Sequence, residues 1–192
     1  MVYERLHQII NEEVIISLDM EKRNVTVKEN DPGASLKKVV LEGFTNEDKF
    51  MAFKLGSPKL RMSQYLNQSQ EKINKGCDAV IATEINGNSY IFFCELKSDS
   101  PKPKKYEDQF LSSHAFVDYI DSLIKKFYKL SLGKFKKIYV LFTSKKKLPK
   151  TPVYPGARKR PSARINNIPL FIEGNCKKGY NPDCINIKKY AI

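Results

Sequence analysis

Histidine is nearly missing from this chain, with only His7 and His114 among 192 residues, and the two stand far apart. A histidine-based mechanism is therefore not expected. Cysteine is scarce as well. Cys77 and Cys94 adjoin Asp78 and Glu95 in apolar runs and read as reduced core thiols on the opposite strand face. Cys176 and Cys184 lie in a Gly/Asn/Lys/Pro loop and lack the CxxC spacing of a structural zinc site. No apolar run approaches the roughly 18 residues of a membrane span. MVYERLHQII carries charge where a signal peptide would have its apolar core, so a cytoplasmic protein without a membrane partner is expected.

One third of the chain is also poor in acid. Residues 101–164 hold 17 Lys and Arg against four acids, whereas the remainder is balanced at 17 of each, so this third carries the whole net charge of +13. Such a face suits a polyanion, and nucleic acid is the expected partner. Hydrophobic residues make up 41% and charged residues 29%, as befits one globular domain over 1–192.

The chain is organised around CDAVIATEINGNSYIFFCELKS, residues 77–98. Asn86-Gly87 between two apolar, β-branched and aromatic runs is the pattern of a hairpin closed by a two-residue type I′ turn. Ile85 then faces Asn88 and, counting back along both strands, Asp78 faces Glu95. A three-residue loop would instead set Asp78 opposite Leu96. Period-2 alternation puts Lys97 on the face of Glu95, so two carboxylates and a lysine converge. AVIA and IFFC are continuous apolar runs, typical of strands buried on both faces.

Two carboxylates at the ends of such strands repel and are poorly hydrated, and one lysine relieves only one of them. A divalent cation relieves both. Mg²⁺ takes oxygen ligands, commonly one or two carboxylates with waters and substrate phosphate oxygens. Asp78, Glu95 and the Leu96 carbonyl are the expected metal ligands, with Mn²⁺ able to substitute. Lys97 would orient or deprotonate the water that attacks a phosphodiester.

An Asp on one strand followed by Glu-x-Lys at the end of the next resembles the PD-(D/E)xK, or restriction-endonuclease-like, nuclease superfamily. Asp78, Glu95 and Lys97 carry the resemblance, over roughly residues 76–144. The family often places a Gln in the first turn of the following helix, and Gln109 in EDQFLSSHAFVDYI matches it. Cys77 stands where the family's Pro often precedes the Asp, and Ser113 where one large branch carries a Tyr. The resemblance implies an α/β fold with a mixed central β-sheet flanked by helices, here with extra N-terminal β-hairpins. It further implies Mg²⁺-dependent hydrolysis of DNA by Asp78, Glu95, Lys97 and Gln109, as in a restriction or defence endonuclease acting as a homodimer. Many members add an upstream acid, for which Glu4, Glu12 and Glu13 are the candidates. A resolvase or repair nuclease is close to this reading. RNA as the substrate, a non-catalytic nucleic-acid-binding module on the same fold, and a basic RNA-associated protein with a coincidental motif are the alternatives.

In chain order, Val2 to Glu13 has the spacing of an amphipathic helix. EVIISLDMEKRNVTVKEN and KKVVLEGF with DKFMAFKLG read as two strand pairs that extend the catalytic sheet, and Ser57 to Lys75 as a loop with a short helix. A helix is expected from about Tyr106 to Leu130, with Phe110, Val117, Ile120, Ile124 and Phe127 packed on the sheet and Gly133 closing the unit. KKIYVLFTS then returns as a buried strand beside the hairpin through a helical crossover. The Pro-rich, acid-free segment at about 145–164 reads as an extended loop. Its Lys145, Lys146, Lys147, Arg158, Lys159, Arg160 and Arg164 are expected to contact phosphates and add salt-dependent affinity. IPLFIEG and CINIKKYAI complete the chain as two strands at the sheet edge.

Overall fold

The computed structural model describes residues 1–29, 31–45, 47–56, 60, 62–63, 65–67, 69–98, 104–143, 171–175 and 184–191. The Lys145 to Arg164 segment and the Cys176 to Asp183 loop lie outside them.

The described residues form a mixed α/β structure with two sheets. Strands β1 (Asn24–Lys28), β2 (Lys38–Glu42) and β8 (Cys184–Asn186) make a small sheet in the order β1-β2-β8. Strands β3 (Phe50–Phe53), β4 (Ala79–Ile85), β5 (Asn88–Lys97), β6 (Lys136–Thr143) and β7 (Phe171–Asn175) make the central sheet in that order. The β3-β4-β5 pairs are antiparallel, and β5-β6-β7 are parallel. Two α-helices, α1 (Val2–Ile9) and α2 (Lys104–Tyr128), complete the layers. Helix α2 is the crossover that lets β6 return parallel to β5.

Alternation explains the three layers. In β5, Ile91 and Phe93 join Tyr3, Leu6, Phe110 and Ile120 in the helix-side core. Phe92, Cys94 and Leu96 point the other way, against Val25, Val27, Val39 and Leu41 of the small sheet. The central strands thus bury both faces, as their unbroken apolar runs require. By contrast, β1 buries only Val25 and Val27 on one side.

Several expectations change in this arrangement. The small sheet lies face-on over the central one, so helices flank one face and strands cover the other. Only β1 and β2 form an N-terminal hairpin, since β2 does not pair with β3. The run at 14–16 follows the β3 edge instead, where the Ile16 N–H donates to the Ala52 carbonyl at 2.8 Å and the Lys54 N–H to the Val14 carbonyl at 2.8 Å. Helix α1 ends at Ile9 because the Asn11 side chain accepts from the Glu13 N–H and starts a separate 3-10 turn, Glu12–Val14. β7 closes the central sheet, whereas β8 joins the small sheet and buries Ile185 between the two. Helix α2 begins and ends two residues before the expected bounds. Lys129, at φ 59, turns the chain before Gly133. Leu132 rather than Phe127 continues the core, and Phe127 is 69% exposed.

Candidate metal and phosphate site

The Asn86-Gly87 turn sets the geometry. Both residues are left-handed, at φ 52 and 77, as a type I′ turn demands. The ladder pairs Ile85 with Asn88 and Ala79 with Cys94, so the next step sets Asp78 opposite Glu95. There side chains continue the ladder. The Asp78 N–H donates to Glu95 Oε2 at 3.3 Å, and the Leu96 N–H donates to Asp78 Oδ2 at 2.8 Å.

Both acids are buried, Glu95 at 0% exposure and Asp78 at 6%. Burial and the Asp78 charge push the Glu95 carboxyl well above the usual carboxylate range, against the opposing pull of Lys97. Burial and then Glu29 raise Asp78, while the Leu96 N–H, Lys54 and Lys97 oppose them. The Lys97 ammonium forms an ion pair with Glu95 Oε1. That ammonium is the only cationic side chain paired with Glu95 among the described residues. Burial alone would lower the Lys97 pKa, but Glu95 and Asp78 outweigh it and hold the amine as a cation. It is therefore suited to donating a hydrogen bond rather than to taking a proton.

A clamp fixes where Asp78 begins. On consecutive turns of α2, Gln109 Nε2 donates to the Gly76 carbonyl at 3.3 Å and Ser113 Oγ accepts from the Cys77 N–H at 2.8 Å. Gln109 thus falls in the second helical turn and holds backbone two residues before Asp78. On the opposite side a Cβ on Gly76 would stand 2.3 Å from Leu55 Cβ and 2.6 Å from the Leu55 carbonyl carbon, so only glycine fits. Cys77 joins the helix-side core and Cys94 the inter-sheet core, since strand alternation begins only at Ala79. Both thiols are free and buried, and burial pushes both up, away from nucleophilic chemistry.

Three residues at the site escape sequence reasoning. Lys54 Nζ lies 3.9 Å from Asp78 Oδ1 and donates to the Lys28 carbonyl at 2.6 Å. Glu29 follows β1 and acts on Asp78, Glu95 and Lys97. It is brought there by Ser98, whose Oγ accepts from the Ser35 and Leu36 N–H groups and pins the β1–β2 loop to the end of β5. Thr143 neighbours Lys97 in the parallel ladder and is fully buried. The upstream glutamates stand otherwise. Glu4 pairs with the N-terminal ammonium, and Glu12 and Glu13 are exposed on the 3-10 turn. Leu96 contributes its N–H to Asp78 and its side chain to the inter-sheet core.

The histidines serve packing. His7 Nε2 contacts the Phe50 carbonyl at 3.2 Å, and His114 bridges Lys137, Asp118 and Tyr139.

Among the described residues, no three His, Cys, Asp or Glu side chains group closely enough to enclose a metal ion by themselves. Two adjoining buried carboxylates instead fit a hard cation that keeps waters and substrate oxygens in its shell. No helix among the described residues is long and apolar enough to cross a membrane. Comparison with known proteins finds no matching family model, no matching curated protein and no matching solved structure.

Proposed function

We propose that the protein is a Mg²⁺-dependent DNA endonuclease of the restriction or defence type, with a restriction-endonuclease-like core and Mn²⁺ as a substitute ion. Glu95 carries this reading. A fully buried carboxylate beside a second buried acid, with one ammonium paired to it, is a costly arrangement that a cation would relieve. Asp78, Glu95 and the Leu96 carbonyl would hold the ion. When bound, it would supply positive charge to a phosphate oxygen and stabilise the charge that develops there.

The chain's own residues account for the rest. Lys97 donates a hydrogen bond to the attacking water or to the phosphate and fixes the line of approach. Water adds to phosphorus as a P–O ester bond breaks, giving a phosphate monoester and a free hydroxyl, with the protons exchanged with solvent. Gln109 acts one step removed, by holding the backbone that presents Asp78. The basic segment at 101–164 binds the DNA backbone, with RNA as the competing substrate, and a homodimer would cut both strands. A cytoplasmic location suits the reduced thiols of Cys77 and Cys94.

The test is incubation of supercoiled plasmid and single-stranded RNA with Mg²⁺, with EDTA, and with Lys97→Ala. Plasmid cutting that requires Mg²⁺ and is lost in the variant supports the reading. No cutting of either substrate, with nucleic-acid binding unchanged by EDTA or by the substitution, would replace it with a binding module.

A further inference from the structure

We propose that Thr143 is a positioning residue for Lys97: its hydroxyl receives the Lys97 ammonium once a cation has taken Glu95. This inference rests on the nuclease reading above.

The parallel ladder between β5 and β6 sets Thr143 beside Lys97, as it sets Leu141 beside Glu95. Alternation places all four on the helix-side face, where Phe93, Tyr139 and Leu141 already pack. Thr143 is 0% exposed, and its hydroxyl oxygen has no hydrogen-bond partner among the described residues. A hydroxyl offers one donor and two acceptor positions, and burying it unused is unfavourable. Valine has the same shape without that cost, and β6 uses it at Val140. The hydroxyl therefore calls for an occasional partner.

Lys97 is that partner. Its ammonium stands against Glu95 Oε1. A second positive charge at the same buried carboxylate would repel it. Lys97 would then need a new acceptor within reach of its four-carbon stem. Side chains opposite one another on neighbouring strands lie about 5 Å apart, so Thr143 is the acceptor next to hand. Moving there keeps the ammonium at the carboxyl ends of the two strands, beside the acids and clear of the ion.

The test uses the full chain carrying Thr143→Val, which keeps the shape, and Thr143→Ser, which keeps the hydroxyl. Thr143→Val should melt no lower than wild type and bind Mn²⁺ equally well. Its kcat on plasmid should fall about tenfold, the equivalent of one lost hydrogen bond, with KM unchanged. Thr143→Ser should recover most of that loss. In the Ca²⁺-loaded protein, NMR should show the Lys97 ammonium protons exchanging faster with water in Thr143→Val than in wild type, a difference absent without cation.

If wild type binds Mn²⁺ and cuts DNA while Thr143→Val does both equally well, Thr143 has no such role and the nuclease reading survives. Lower stability in Thr143→Val, with weaker Mn²⁺ binding and no recovery in Thr143→Ser, would make Thr143 structural and overturn the inference. Wild type that neither binds Mn²⁺ nor cuts would overturn both.

Discussion

Asp78 and Glu95 are tied crosswise: the Asp78 N–H donates to the Glu95 carboxylate, and the Asp78 carboxylate accepts from the N–H of Leu96, the residue after Glu95. Each acid therefore helps to fix the strand that bears the other. The same crossing holds two negative groups together where little water reaches them.

That arrangement has a pH signature. Both carboxyls are raised above their ordinary values. Their contribution to stability is therefore fully present below the unfolded pKa, near 4, and is lost as pH rises through the folded values. A tenfold gain in proton affinity on folding corresponds to about 1.4 kcal/mol. Glu95→Gln removes the burden, so its stability advantage over wild type should grow from pH 5 to pH 8 in cation-free urea titrations. Mg²⁺ should narrow the gap by stabilising wild type alone.

His114 works in the opposite direction. Lys137 donates to its Nε2 at 2.7 Å, so in the neutral ring Nδ1 carries the proton and donates to the Tyr139 oxygen at 2.6 Å. Burial and Lys137 lower its pKa. The stability tied to this group is present above about 6.5 and is lost as pH falls through the lower folded value. His114→Gln should flatten the acid side of the stability profile and leave plasmid cutting at pH 7.5 unchanged.

The clamp ahead of Asp78 can be tested at Ser113 and at Gly76. Ser113→Ala leaves the buried Cys77 N–H without its acceptor and should cost about 1–3 kcal/mol by chemical denaturation. Gly76→Ala forces a Cβ into the Leu55 backbone and should cost about 3 kcal/mol or more. Equal stability of Ser113→Ala and wild type would show that the clamp does not hold the strand.

Cys77 and Ser113 show what the sequence could and could not tell. Both stand where the resembled family often has other residues, and structurally they answer one another. A proline at 77 would have no N–H, whereas Cys77 has one and Ser113 accepts it. Neither residue reveals this alone, because 36 positions separate them.

The register of Asp78 and Glu95 was legible because Asn-Gly fixes the loop length and every later pair follows from it. Glu29 and Lys54 were not legible. Lys54 reaches Asp78 across the antiparallel β3–β4 pair and Glu29 from the small sheet, and the Ser98 contacts that place the Glu29 loop span 62 and 63 residues. The choice between edge-to-edge and face-to-face strands was only half written. NVTVK alternates, as a one-sided strand should, yet nothing local says which sheet its buried side will cover.

The basic segment makes a prediction from charge alone. Replacing Arg158, Lys159, Arg160 and Arg164 with alanine should weaken binding to DNA of any sequence. It should also reduce the slope of log affinity against log salt by about 3 to 4 if all four contact phosphates. Binding titrations at several salt concentrations measure both.

The most direct test of the central claim is Mn²⁺ binding, followed by electron paramagnetic resonance of the free ion, for wild type, Asp78→Asn and Glu95→Gln. The account predicts saturable binding by wild type and its loss in both variants, with the variants folded and at least as stable without cation. Wild type that leaves Mn²⁺ free, or variants that bind it as wild type does, would contradict the claim that this buried acid pair is a cation site.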